Sequence, residues 1–369
     1  MASGYGAWTI IVVLVVAYLG TFLVVSAQPC HEGSMSSQCQ CESHQPGTLK
    51  VICSCDSGQP LTLSFSLPPT VTHIHIHNCN STVTVTSNAF EGLDSLEDIT
   101  FQSISHLKLE SSSLHLIIFH QNNFSLTFDS VWRLSLAEDA IQLQGEGGPN
   151  MKENIIIRNS FITNLQHNAI VGSLHELRLE NVILSQAPAP RAINTGPEGA
   201  SVFINSMDAS THGLSSEWLT GKISHLSIIN SSLTLLPGAF TGVNMTGVPT
   251  SRFTFLNNQL GYPKWFPGNT TSVPSLPTRS LDLTVPRQGL IINASNNKMT
   301  CSCEDTVWLR EDPQTDLKHI IQQSIKCLED KAGSPVARCS AVSNTGLVSA
   351  IVVSLTLSCV THWVQLALS

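Results

Sequence analysis

Charge is scarce in this sequence. Asp, Glu, Lys and Arg make up only 12% of the residues, against about a quarter in ordinary soluble domains. The fold therefore has few ion pairs to draw on, and Ser, Thr and Asn fill its polar positions. There is no basic run, and the net charge is −8. Nothing is available to neutralise a row of phosphates, so nucleic acid is excluded as a partner. Cysteine is absent from residues 80–300. Catalytic constellations are missing too: no G-x-S-x-G turn, no H-E-x-x-H helix and no Walker-type loop. Asp94, Asp98 and Asp139 are isolated acids, and the glycine-rich GEGGPN (145–150) follows no strand-to-helix pattern. The expectation is a protein that is not an enzyme and needs no cofactor or metal.

What is present points to the secretory pathway. Residues 10–25 are apolar and lead into Ser26-Ala27-Gln28, so 1–27 read as a signal peptide. The C-terminus is apolar over 343–369 with no Lys or Arg after it. A spanning helix keeps basic residues on its cytoplasmic side, whereas a glycolipid-attachment signal needs none. Residues 340–369 are therefore read as a GPI signal, with Ser340, Ser343 and Asn344 as attachment candidates and a membrane helix as the alternative.

Of the eleven cysteines, Cys359 falls in that tail. The others form two clusters: Cys30, Cys39, Cys41, Cys53, Cys55 and Cys79 at the start, and Cys301, Cys303, Cys327 and Cys339 at the end. An even number in an oxidising compartment reads as disulfides. Sequons at Asn80, Asn123, Asn230, Asn244, Asn269 and Asn293 mark surface where glycans are attached.

A degenerate repeat fills the middle of the chain. Two apolar residues separated by one recur at Ile74/Ile76, Ile99/Phe101, Ile117/Phe119, Leu134/Leu136, Ile155/Ile157, Leu177/Leu179, Val202/Ile204, Leu226/Ile228 and Phe253/Phe255, with an extra pair at Leu107/Leu109. Alternation makes short strands with both apolar groups on one side. No such unit buries that side alone, but a stack of them does. A polar side chain three residues on, as at Cys79, Asn122, Asp139, Ser160, Ser231 and Asn258, bonds the backbone where the chain turns.

The form L-x-x-L-x-L-x-x-N-x-L, with TSNAFEGLDSL (86–96) and LTLLPGAFTGV (233–243), resembles the extracellular leucine-rich repeat family. NNKMTCSCEDTVWL followed by Cys327 and Cys339 is similar to that family's C-terminal cap, and Cys30…CQC…ICSC to its N-terminal cap. The resemblance implies Cys301–Cys327 and Cys303–Cys339 bonds. It also implies a mostly β or α/β-type solenoid, a horseshoe with a parallel concave sheet. Expected boundaries are an N-terminal cap at 28–70, repeats at 71–300 with a long loop near 261–289, and a C-terminal cap at 301–339. A right-handed parallel β-helix is the alternative fold, because SHLKLESSSLHLIIFHQNNFSLTF (105–128) alternates for so long.

In this register THIHIHNCN (72–80) is the first repeat's strand, with Ile74 and Ile76 inward and His73, His75 and His77 on the open face. Alternate residues lie roughly 6–7 Å apart on a strand, so three rings do not easily converge on one ion. Exposed histidines, a two-histidine site completed by Asp98, and a pH-sensitive patch remain open readings. Cys79 is expected to pair with Cys55. The same face would present Asp98, Arg133, Arg158, Glu176, Arg178 and Arg252, and the four arginines would form a row for an acidic ligand.

The functional expectation is a glycoprotein on the extracellular face of the plasma membrane. It would bind a protein ligand through this face, in adhesion or as a co-receptor. The alternatives are a soluble recognition protein of innate immunity and a β-helix carbohydrate-active enzyme.

Overall fold

A computed structural model describes residues 37–45, 47–55, 58–64, 67–118, 123–145, 152–248, 250–261, 279–286, 288–299 and 316–327. The signal segment, the C-terminal tail with Ser340, Ser343 and Asn344, the residues Cys30, Cys301, Cys303 and Cys339, and Asn269 lie outside these residues. So do the two bonds expected of the C-terminal cap.

The architecture is a mostly β solenoid of parallel strands with one helix, Asp316–Ser324, among the described residues. The coils carry up to three straight runs, and the third begins only at Leu114–Ile118. The first side stacks Thr48–Ser54, the front of Val71–Val85, Asp98–Leu109, Phe124–Val131, Glu153–Leu165, Glu176–Leu184, Ala200–Asn205, the end of Leu219–Ile229, Ser251–Leu256 and Leu290–Ser295. The second side stacks shorter runs, Leu61–Leu63 against 83–85, then 107–109, Leu134–Leu136 and 162–165. The third pairs Leu114–Ile118, Ile141–Gly145, Ile170–Gly172 and Ile193–Asn194.

Single residues in the left-handed region make two of the corners. After the first side these are Asn78, Ser103, Ser130, Asn159, Asn181, Ser206, Asn230, Asn257 and Asn296. After the second they are Asn88, Ser112, Asp139, Asn168, Arg191, Glu217 and Gly238. Asn and Asp tolerate this conformation because their short polar side chains bond locally. One such residue turns the strand without a loop, which is why a coil needs so few residues. Arg191 and Glu217 are poor choices for it, and they stand in adjacent coils as an ion pair at 3.1 Å.

The core is the set of inward pairs. Ile74, Ile76, Ile99, Phe101, Leu126, Phe128, Ile155 and Ile157 are all buried, and the Phe101 and Phe128 rings stack at 5.3 Å. Just inside the first corner runs a polar rung. The amide of Ser231 donates to Asn258 Oδ1 at 3.0 Å, and Asn258 Nδ2 donates to the Ile228 carbonyl at 2.9 Å. Asn297 repeats this one coil on, accepting from the Asn258 amide and donating to the Phe255 carbonyl. Ser160 and Ser231 play the shorter version, each accepting from the preceding coil's backbone. Ile104, Val131, Val182 and Met207 occupy the same place without a polar group.

A hairpin closes the N-terminal end of the stack. Cys39–Gln45 folds back antiparallel on Thr48–Ser54, which is itself the first coil's strand, so stacking begins inside 28–70. The antiparallel hairpin covers an edge otherwise open to further strands. Disulfides Cys39–Cys53 and Cys55–Cys79 fix it, the second as expected, and Cys41 is also disulfide-bonded. These bonds are those of a chain folded in an oxidising, secretory compartment. At the other end Ile325–Cys327 continues the second-side stack on Asn297–Met299. Of the expected loop at 261–289, residues 279–286 are turns and irregular structure held against the solenoid by one isolated bridge, Thr284 to Asn244. The Thr284 amide donates to the Val243 carbonyl, and Leu281 and Leu283 are buried.

Gly221 has φ +113°, and a Cβ there would sit 2.5 Å from Thr195 Oγ1. Gly221→Ala is expected to cost about 2 kcal/mol, read by denaturant unfolding.

Candidate binding face

The first side is the most regular surface of the molecule. Its outward residues form three columns across the strands. The leading column runs His73, Asp98, Ser125, Asn154, Glu176, Ser201, His225, Arg252. The middle runs His75, Thr100, Thr127, Ile156, Arg178, Phe203, Ser227, Thr254, and the trailing one His77, Gln102, Asp129, Arg158, Glu180, Asn205.

Three expectations need correction. Ile117 and the pair Leu134/Leu136 are not on the first side, and Phe119 lies outside the described residues. Leu114–Ile118 belongs to the third side and Leu134–Leu136 to the second, and the first-side pair of that region is Leu126/Phe128. Arg133 is therefore not on this face; it stands exposed at the start of the second side. The remaining arginines do not form a row, because Arg252, Arg178 and Arg158 sit in the leading, middle and trailing columns.

At the N-terminal end the histidines are bound into the sheet surface. His75 Nε2 lies 3.2 Å from Gln102 Oε1, His73 Nδ1 lies 2.9 Å from Thr72 Oγ1, and the His75 and His77 rings are 4.9 Å apart. Burial holds His75 below its ordinary pKa. Asp98 is pushed up by burial, partly offset by the Thr100 hydroxyl that donates to it at 2.9 Å. Among the described residues no three His, Cys, Asp or Glu are grouped as a metal site.

The centre carries the densest polar and aromatic packing. Arg178 lies between Glu176 and Glu180, donating from Nε and Nη2 to the first, and from Nη1 to the second at 3.4 Å. Its guanidinium sits 4.9 Å over the Phe203 ring, and Phe203 meets His225 edge-on at 5.0 Å. Arg158 pairs with Asp129 at 2.8 Å. Burial pushes the Asp129 carboxyl up, but hydrogen bonds from Asn159, Ser130 and Arg158, with the Arg158 charge, outweigh it and hold the group below its ordinary value.

Two features were missed in the sequence. Trp132 is 68% exposed and stacks on Phe161 at 6.2 Å, with Ile183, 44% exposed, next along the same corner. The signal was available: each follows a corner residue (Ser130, Asn159, Asn181) by two positions. The second is Glu153, 2% exposed, whose Oε2 has no hydrogen-bond partner among the described residues. Burial, with Glu198 nearby, raises its pKa to about 7. Sequons Asn80, Asn123, Asn230, Asn244 and Asn293 are exposed. Asn230 also belongs to an outer amide ladder, donating to Asn205 and accepting from Asn257.

The sequence matches no protein-family model and none of the curated proteins.

Proposed function

We propose that this chain is an extracellular glycoprotein that binds a protein ligand through the first side of its solenoid, in cell adhesion or as a co-receptor. The observation that carries this is the Glu176–Arg178–Glu180 clasp over Phe203, edged by His225, at the middle of a flat, regular sheet. Arginines and aromatics held rigid at the centre of a patch are the composition of interface hot spots. Tethering through the C-terminal tail is part of the same reading.

Within the solenoid class, the three strand-bearing sides and the left-handed corners favour the parallel β-helix over the horseshoe. The cysteine-rich ends favour the leucine-rich repeat resemblance. The proposed face is the same sheet in both.

The test is affinity. Cells displaying the full chain are screened against a panel of purified ectodomains. A ligand found this way is expected to lose about tenfold or more in affinity to Phe203→Ala or Arg178→Ala, and to keep it with Lys108→Ala and Ser135→Ala on the second side. Loss confined to the second-side variants would overturn the proposal.

A further inference from the structure

Arg252 differs from the other arginines of this face. Arg158 is closed by Asp129 and Arg178 by its two glutamates, whereas Arg252 is exposed and has no ion-pair partner among the described residues. It lies in register with His225 on the preceding strand, and His225 in turn touches Phe203. Ser227 and Thr254 are in register in the next column and are buried, so they floor the spot. Burial and the Arg252 charge hold His225 below its ordinary pKa, so at neutral pH the pair carries its positive charge on the arginine. The nearest acid of the leading column, Glu176, is two strands from His225 and three from Arg252, and is already engaged with Arg178. Lys222, on His225's own strand, adds charge of the same sign. On the C-terminal side the sequon residue Asn293 is in register with Thr254, so a glycan there would border this spot.

An open guanidinium next to an aromatic edge, on a chain of net charge −8, is a place prepared for a negative group. We infer that Arg252, His225 and Phe203 form a subsite for a carboxylate side chain in an acidic peptide segment of the protein ligand; this rests on the first side being the protein-binding surface. The guanidinium fork takes a carboxylate through two parallel hydrogen bonds. His225 stands between the guanidinium and Phe203, which meets it edge-on, and gives the carboxylate a ring wall on that side. A peptide is favoured over an acidic polysaccharide because the subsite adjoins the Arg178–Phe203 clasp, whose composition is that of a protein interface.

The experiment displays the full chain on cells and titrates dye-labelled peptides in which Leu alternates with Glu, Gln or Lys. The Glu peptide is expected to bind about tenfold tighter than the Gln peptide, a preference weakened by salt. Arg252→Glu should abolish that preference and favour the Lys peptide, Arg252→Lys should keep part of it, and Phe203→Ala should weaken all peptides alike. Equal binding of Glu and Gln peptides, or a Glu preference that survives Arg252→Glu, would overturn the subsite while the Phe203 effect upholds the face. Peptide binding indifferent to Phe203→Ala would instead overturn the face itself. Binding of an oligomer of hexuronic acid through Arg252, with no acidic peptide bound, would replace the peptide assignment by a polysaccharide one.

Discussion

Glu153→Gln raises the stability of this protein at pH 8 and leaves it nearly unchanged at pH 4. The carboxyl is almost fully buried at the start of a first-side strand, its Oε2 lacks a partner among the described residues, and its pKa rises from 4.5 to about 7. The sign follows from proton linkage. Between these two values the folded chain holds a proton that the unfolded chain has released. Stability from this group is therefore fully present below the unfolded value, falls as the pH rises through the window, and is lost above about 7. The shift corresponds to about 3 kcal/mol, at 1.36 kcal/mol per unit. Glutamine stays neutral and abolishes the dependence. In a chain of this size the gain at pH 8 amounts to roughly 4–5 °C in melting temperature. Glu198→Gln should give a smaller gain of the same sign, because Glu198 contributes less than burial does. A gain independent of pH would show that Glu153 is not held neutral by its surroundings.

Asn258→Ala is expected to lower stability by about 3–5 kcal/mol, the largest loss we anticipate from one side chain. Asn258 is 1% exposed. Its amide group serves the Ser231 N–H, the Ile228 carbonyl and Asn297 Oδ1, all inside the solenoid. Truncation leaves these groups buried and unpaired, with no room for the strand to turn them outward. Ser160→Ala should cost less, about 1–2 kcal/mol, because that hydroxyl serves one amide and one carbonyl. Denaturant titration measures both. A solenoid can unfold in parts, so each transition is followed with a probe near the substituted coil. A loss below about 1 kcal/mol at Asn258 would mean that solvent or a rearranged backbone satisfies the rung.

The sequence carried much of this fold, for reasons visible in individual residues. Ile74/Ile76, Ile155/Ile157, Leu177/Leu179 and Phe253/Phe255 were legible as inward pairs because the alternation around them is clean. Cys79, Ser160, Ser231 and Asn258 were legible as the rung because a polar residue follows each pair at a fixed offset. Alternation does not say on which side of a coil a strand lies. Leu134/Leu136 and Ile117/Phe119 have the same period as the first-side pairs, and taking them as such displaced Arg133 onto the wrong side. The corner residue tells the sides apart: Ser103, Ser130, Asn159 and Asn181 each directly follow an outward trailing-column residue, ahead of a buried rung residue. The alternation put the histidines and Asp98, Arg158, Glu176, Arg178 and Arg252 at outward positions of first-side strands, where their register lies. The Arg178–Phe203–His225 packing was not legible, because it joins side chains from three coils.

The central claim is that the first side receives a protein. The most direct measurement puts a photo-crosslinking amino acid at Ile156, in register with Arg178 on the first side, and separately at Ser135 on the second and Gln142 on the third. The full chain is irradiated on cells bathed in the medium that supports its binding. A discrete adduct from Ile156, lost with Phe203→Ala and not formed from the other two positions, is the expected result. An adduct of the same size from Ser135 or Gln142, with none from Ile156, would contradict the account.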